Sequence, residues 1–418
     1  MSPPKRLVAG IAAGTLLGLA ANATGSRWVQ ALVTYVAEPV GKLFIRAILM
    51  LVLPLAFSAL VLGVGEINPR QLGRLGLRTL LYTLLVSSIA AGIGLVLVNL
   101  LQPGAAIPAE LRNSVASAAT THPQPSLSAV DLLVALVPSN PVAAAANGDM
   151  VGFLVFALAF GIGLASLKTE SAQPLRQVIQ GLFDVSMRLI DLVLKAAPVG
   201  VGALLFAMTA KVGLRVVGQL GQYAFVVVLG LSIHLFVVYS ILLKAVAKVS
   251  PVWFFRNIRM VLTTAFSTAS SNATLPTALI AAETGLGLPR DVSRFVLTAG
   301  ASMNQNGTAL FEGVTVLFLA QAFGVHLGLG QQAMVMGISV LAGLGTAGVP
   351  AGSLPVIATI LALLGIPPEA VGLILGVDRI LDMCRTTVNV AGDLVLATII
   401  ARTREGTPSA GQTEGTII

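Results

Sequence analysis

The sequence predicts an all-α membrane protein, and three observations carry that reading. The chain is 56% hydrophobic and only 10% charged, where soluble domains carry about 25% charged residues. Its apolar stretches are long enough to cross a hydrocarbon core of about 30 Å, which takes about 20 residues each. Its lysines and arginines stand in short clusters between those stretches, the pattern of a membrane protein with positive loops on the inside. A soluble fold with a mean hydropathy of +0.92 would expose apolar patches of a size that soluble monomers rarely show. The 418 residues accommodate roughly eight spans with their connections.

Other classes fit poorly. A net charge of +8 with only 5% aromatic residues offers a nucleic acid few stacking platforms, and the basic residues do not gather on one face. The single cysteine, Cys384, excludes a disulfide framework within the chain and a cysteine-cluster metal site. His122, His234 and His326 lack metal-ligand spacing. No nucleophile and base are paired in a recognisable motif, so neither an enzyme nor a bound cofactor is expected.

Along the chain, Lys5 and Arg6 precede a first apolar run. Ala21-Asn22-Ala23 looks like a signal-peptidase site, but further apolar runs follow at once, which favours an uncleaved first span. The runs fall near 7–23, 40–65, 75–101, 127–167, 176–208 and 216–247. Those near 251–288, 291–322, 331–366 and 370–401 are interrupted by Ser, Thr, Asn, Gly and Pro. Two interruptions are alike in kind: Ser270-Ser271-Asn272-Ala273-Thr274-Leu275-Pro276, and Gly345-Thr346-Ala347-Gly348-Val349-Pro350-Ala351-Gly352-Ser353. Each is an uncharged polar tip between short apolar arms. Backbone at membrane depth must be hydrogen-bonded or line a polar cavity, so these read as re-entrant hairpins, with an interrupted helix between them. Paired discontinuous segments point to a transporter site.

Topology follows from the basic clusters: Lys5 and Arg6; Arg70, Arg74 and Arg78; Lys244, Lys248, Arg256 and Arg259; Arg290 and Arg294; Arg402 and Arg404. Segment 102–126 holds only Arg112, beside Glu110. Cytoplasmic N- and C-termini put nearly all of these clusters inside. The first hairpin then enters from the cytoplasm and the second from outside, an inverted arrangement suited to alternating access. The stretch 403–418 is expected to be a disordered cytoplasmic tail.

The run near 370–401 contains Asp378, Arg379, Asp382, Arg385, Thr386, Asn389 and Asp393. On a helix at about 100° per residue, Asp382, Arg385, Thr386, Asn389 and Asp393 fall within an arc of roughly 100°. Charged groups in a span are costly and usually face an interior site. One reading is a structural ion pair of Asp382 with Arg379 or Arg385, spaced i, i+3. The other is a binding face, since five polar positions exceed what one pair needs. A guanidinium holds a carboxylate bidentately, so Arg385 suits an acidic side chain. Asp382 suits an ammonium group, Thr386 and Asn389 suit a backbone carboxylate, and Asp393 suits a cation.

At these residues the sequence resembles the dicarboxylate/amino acid:cation symporter family, which includes the glutamate and aspartate transporters. The likeness is strongest at the first tip, at Asn304-Gln305-Asn306-Gly307-Thr308, from Gly345 to Pro350, and from Asp382 to Asp393. It implies a homotrimer in the plasma (inner) membrane, with eight transmembrane helices, two re-entrant helical hairpins and inverted repeats, working as an elevator-type transporter. Scaffold helices 1–2 would lie in 1–72, and the external loop with scaffold helices 4–5 in 102–212. The transport domain would comprise 73–101, 213–250 and 251–402. Matched positions make Ser271, Thr308, Val349, Asp382, Arg385, Thr386 and Asn389 the substrate contacts, with Arg385 marking an acidic amino acid substrate.

The resemblance also bears on the coupling ion. Sodium-coupled relatives read Asn-Met-Asp-Gly-Thr at the interrupted helix, where this chain has Gln305 and Asn306. Thr83 and Val86 replace a Tyr and a Thr of the same sodium site, while Ser87 is kept. Glu312 matches the carboxyl of proton-carrying relatives; its other reading is a structural Glu hydrogen-bonded between helices. A partial sodium site could survive at Asp393, with backbone oxygens from Gly300, Asn304 and Asn389 and with Asn306 beside them. Ala269 stands where the family has a basic residue, and Arg379 could replace it by pairing with Asp382. The implied function is proton-coupled import of glutamate or aspartate. The alternatives are a sodium-coupled acidic amino acid or dicarboxylate symporter, a neutral amino acid carrier, and an anion channel. Substrate, surrounding lipid and further copies of the chain would be the partners.

Overall fold

A computed structural model describes residues 3–24, 26–65, 76–105, 137–146, 150–167, 169–343 and 352–403. Among the described residues all regular structure is helical and there is no strand. Helix α1 is Pro3–Thr24 and α2 is Arg27–Leu32, which runs through a π turn, Val33–Ala37, into α3, Glu38–Gly65. Helix α4 is Leu77–Leu101, α5 Pro141–Ala146, α6 Met150–Ser166, α7 Ala172–Lys195 and α8 Ala197–Val212. Helix α9, Leu214–Ile233, continues through a π turn, His234–Val238, into the short α10, Tyr239–Leu242, and a second π turn, Leu243–Ala247. Then follow α11 Pro251–Thr268, α12 Ser271–Ile280, α13 Arg290–Met303, α14 Asn306–Ala322, α15 Leu329–Gly343 and α16 Leu354–Leu363. A 3₁₀ turn, Pro368–Leu373, leads into the last helix, α17, Leu375–Thr403.

Local chemistry explains most boundaries. Pro251 starts α11 at its first turn, where the missing N–H is no loss, and the Ser250 hydroxyl caps it by accepting from the Trp253 N–H. The helix stops at Ala269, which takes the left-handed conformation at φ 49°, a geometry that costs an alanine roughly 1 kcal/mol. Ser270 then caps α12 through the Ala273 N–H at 3.3 Å. Pro198 separates α7 from α8, because a proline cannot accept a helical turn before it. The run 176–208, which reads as one apolar stretch, is therefore two helices. The second run also differs from its sequence reading: the helix begins at Arg27, well before residue 40. Its early part carries Trp28 and Tyr35 at 86% and 79% exposure, the amphipathic aromatics of a membrane–water interface. In the run 127–167, the described helices are α5 and α6. The tip 344–351, the segment 106–136 and the tail 404–418 lie outside the described residues.

Among the described residues, three helices are long and apolar enough to cross a membrane by themselves: Leu77–Leu101, Val217–Ala247 and Leu375–Thr403. The helices pack in two groups. Helix α1 lies along α8, and α3 lies against α6, α7 and α8. In the second group α14 lies against α4, α15 and α17, while α11 and α13 lie against α17. The α1–α8 seam is made of small residues: a Cβ on Gly14 would stand 2.2 Å from the Gly202 carbonyl oxygen, and one on Gly10 would stand 2.3 Å from that of Pro198. Such residues let helix backbones touch where no hydrophobic effect drives association. In the second group α14 is buried on every side, whereas α4 turns Leu81, Leu85, Val96 and Leu100 outward.

Gly14→Leu is expected to destabilise the protein by at least about 2 kcal/mol, the scale of core overpacking. Thermal unfolding in detergent micelles checks this; an unchanged midpoint would mean that the seam tolerates separation.

Candidate functional site

The site is built around the gap between α13 and α14. Asn304 (φ −103°, ψ 71°) and Gln305 (φ −101°, ψ 55°) are not helical. A broken helix deep in a hydrophobic body leaves backbone groups without helical partners. Three consecutive amide side chains, Asn304, Gln305 and Asn306, occupy this gap, all of them buried. Each faces a different neighbour.

Asn304 donates from Nδ2 to Asp393 Oδ1 at 2.8 Å. Gly300 makes room for that carboxylate, because a Cβ there would stand 2.4 Å from Oδ1. Gln305 donates from Nε2 to the Ala301 carbonyl at 3.1 Å, and its Oε1 accepts from Thr308 Oγ1 at 3.2 Å and from Asn389 Nδ2. The same Asn389 Nδ2 reaches Thr308 Oγ1 at 3.1 Å, and Asn389 Oδ1 accepts from the Gly307 N–H at 2.7 Å. Asn306 accepts from Ser87 Oγ at 2.6 Å and donates to Tyr239 Oη at 3.0 Å. The Tyr239 hydroxyl in turn donates to the Val388 carbonyl at 3.0 Å.

A second cluster lies one turn earlier on α17. Arg385, 2% exposed, donates from Nε to Asp382 Oδ1 at 2.9 Å. Its Nη1 reaches Ser353 Oγ and lies 3.7 Å from Asp378 Oδ1. The guanidinium stands 4.3 Å from the Phe311 ring centroid, a cation–π contact strengthened by the dry surroundings. Asp382 Oδ2 lies 3.5 Å from Arg379 Nη1. Two carboxylates thus face two guanidiniums and the cluster is formally neutral, as a charge group in an apolar interior requires. Both ion pairs considered from sequence, Asp382 with Arg385 and Asp382 with Arg379, are present.

The structure therefore joins Thr308 to Asn389 and Asp382 to Arg385 directly. Ser271 and Thr386 are buried, Ser271 at the start of α12, which packs on α17. Val349 lies outside the described residues. Of the residues grouped as a cation site, Gly300, Asn304 and Asp393 meet. The Asn389 side chain bonds Gly307, Thr308 and Gln305, which leaves its backbone oxygen out of account, and the Asn306 side chain bonds Ser87 and Tyr239. Glu312, one turn beyond Thr308 on α14, is fully buried, and both carboxyl oxygens lack a hydrogen-bond partner among the described residues. This is not the inter-helix hydrogen bond considered from sequence. Asn304 Oδ1 is likewise buried without a partner among the described residues.

Sequence reasoning assigned no role to Tyr239, Phe311 or Ser353, and it treated Gln305 only as a departure. A tyrosine inside an otherwise apolar span was the one available signal for Tyr239, since its hydroxyl needs a partner when buried.

A helix interrupted by buried amides and packed against a buried charge cluster is the kind of site that secondary transporters build. Residues 4–403 match the sodium:dicarboxylate symporter family, and the chain belongs to it. The chain is 32% identical over 405 residues to the proton/sodium-glutamate symport protein of Bacillus subtilis (strain 168), covering 95% of this chain and 94% of that relative. It is 32% identical over 381 residues to the proton/glutamate-aspartate symporter of Escherichia coli (strain K12), with 89% and 86% covered. It is 33% identical over 422 residues to the neutral amino acid transporter B(0) of Oryctolagus cuniculus, with 92% and 77% covered.

Asp382→Asn is expected to lower stability by about 3 kcal/mol, because it leaves Arg385 without its close partner. Asp378→Asn, at the longer distance, is expected to lower it less. Unfolding midpoints of the two variants, measured side by side, check the order.

Proposed function

We propose that the chain imports glutamate or aspartate together with protons. The observation that carries this reading is Arg385: a buried guanidinium balanced by Asp382 and Asp378 beside the donors Asn389 and Thr308. The names of the bacterial relatives support it, being proton/sodium-glutamate and proton/glutamate-aspartate symporters.

The geometry suggests an exchange of partners. An acidic side chain brings a carboxylate to Arg385, where a bidentate pair displaces the single Asp382 bond. Asp382 is then free to accept from the substrate ammonium. The substrate's backbone carboxylate takes the Asn389 amide and Thr308 hydroxyl from Gln305, with Ser271, Thr386 and Val349 completing the pocket. A glutamate or aspartate carries one net negative charge, and a proton on Glu312 offsets it. The loaded site then gains no net charge, which keeps the cost of moving it through an apolar barrier low.

The packing supports a division of labour. Helices α4 and α9–α17, with the gap between α13 and α14, hold the described substrate-site residues and would move as the transport domain. Helices α1–α3 and α5–α8 would form the scaffold. We infer an elevator motion in a homotrimer of the plasma membrane, with eight spans, two oppositely oriented hairpins and cytoplasmic termini. A second reading keeps a sodium ion at Asp393, favoured by the Asn304 Oδ1 beside it, which has no partner among the described residues.

In liposomes, an inward proton gradient in sodium-free buffer is expected to drive radiolabelled aspartate uptake. Glu312→Gln is expected to lose that drive, and unlabelled alanine or succinate to compete poorly. Uptake that needs sodium and ignores pH would refute proton coupling while leaving the substrate class intact. Arg385→Lys keeps the charge but loses the planar fork, so it is expected to weaken the apparent affinity for aspartate about tenfold or more.

A further inference from the structure

The Tyr239 hydroxyl is a buried polar group that this transport cycle leaves unused, and it is held on three sides. Tyr239 is fully buried between the two π turns that follow α9. Its ring stands 4.7 Å from that of His234 at 70°, an edge contact that holds it from one side. A phenol has one proton to give, and Oη lies 3.0 Å from the Val388 carbonyl, an acceptor only. Without that proton between them, two oxygens would face each other unbridged. With the proton committed to Val388, Oη can only accept from Asn306. Asn306 must therefore turn its Nδ2 to Tyr239 and leave its Oδ1 to the Ser87 hydroxyl. A carbonyl on α17 thus fixes which way round a buried amide sits on α14, and Tyr239 transmits the constraint.

The consequence appears at Gly392, next to Asp393. A Cβ on Gly392 would stand 2.4 Å from Tyr239 Oη, 2.8 Å from Asn306 Nδ2 and 3.1 Å from Asn304 Nδ2. Two NH₂ groups therefore cover this backbone. Cations such as sodium are held by oxygen ligands, so a surface of amide hydrogens repels them. We propose that Tyr239 is an ion-specificity residue. By fixing the Asn306 amide, it closes the helix break with a neutral relay from Ser87 to Val388 and denies sodium a seat at position 306. Its bearing on transport rests on the proton-coupled reading above; its bearing on ion binding does not.

The test uses the purified full chain in lipid nanodiscs. Thermal unfolding is followed as sodium chloride replaces choline chloride at constant ionic strength, for the unsubstituted chain, Tyr239→Phe and Asn306→Asp. Tyr239→Phe lets the amide invert and expose its oxygen, and Asn306→Asp supplies two oxygens and a charge. Both variants are expected to show a sodium-induced rise in Tm larger than any in the unsubstituted chain, with apparent sodium affinity at least about tenfold tighter. A Tyr239→Phe variant that loses stability equally in both salts would overturn the proposal, since Tyr239 would then be structural only. So would a sodium response that shrinks on substitution. If Tyr239→Phe cannot be isolated folded, Asn306→Asp decides: no gained sodium response overturns the proposal. Uptake of aspartate in sodium and in choline forms a second arm. Failure of uptake in every protein, with the expected unfolding shifts intact, would reject the substrate reading and leave the ion-specificity inference standing.

Discussion

A polar group with no water within reach must find its partner inside the protein, and the gap at Asn304 and Gln305 concentrates that demand. The side chains that meet it come from far apart in the chain: Ser87 on α4, Tyr239 on α10, and Val388, Asn389 and Asp393 on α17. The close packing of α14 against α4 and α17 follows from this stitching as much as from apolar contact. Glycines stand where the stitches pass nearest to backbone. At Gly307 a Cβ would meet the Arg385 carbonyl oxygen at 2.7 Å and Asn389 Oδ1 at 3.1 Å. The sequence Asn-Gln-Asn-Gly is thus a set of donors, acceptors and one necessary absence of side chain.

The same rule shapes the substrate pocket. Arg385 is held by Asp382 and Ser353, and Asn389 and Thr308 are held by Gln305. A ligand that enters exchanges these bonds for its own. The net gain per exchanged hydrogen bond is small, on the order of 1 kcal/mol, so selectivity rests on fit. A ligand that leaves one donor unpaired loses more than a well-matched one gains. Two internal acceptors, Asp382 and Gln305, set that threshold.

The sequence made much of this legible. The polar stripe on α17 followed from helical period alone, and the breaks at the first tip and at Asn304 followed from polar residues inside apolar runs. Pairing partners were harder. An amide at 306 reads as a weakened cation ligand until Tyr239 is seen to hold it, and Tyr239 lies 67 positions away in the chain. The division of 176–208 by Pro198 was visible in principle, but hydropathy averages over a single proline. The early start of the second long helix at Arg27 was masked by its polar and aromatic residues, which suit a membrane surface and interrupt an apolar run. Glu312 reads the same way at both levels, a carboxyl inside a span, and only the structure shows that its oxygens lack partners among the described residues.

The glycine seam between α1 and α8 has a thermodynamic corollary. Contacts built from backbone and Gly10, Gly14 and Gly202 freeze no side-chain rotamers when the helices dock. The joint between these two helices therefore costs little conformational entropy to form, and its strength rests on close van der Waals contact between backbones.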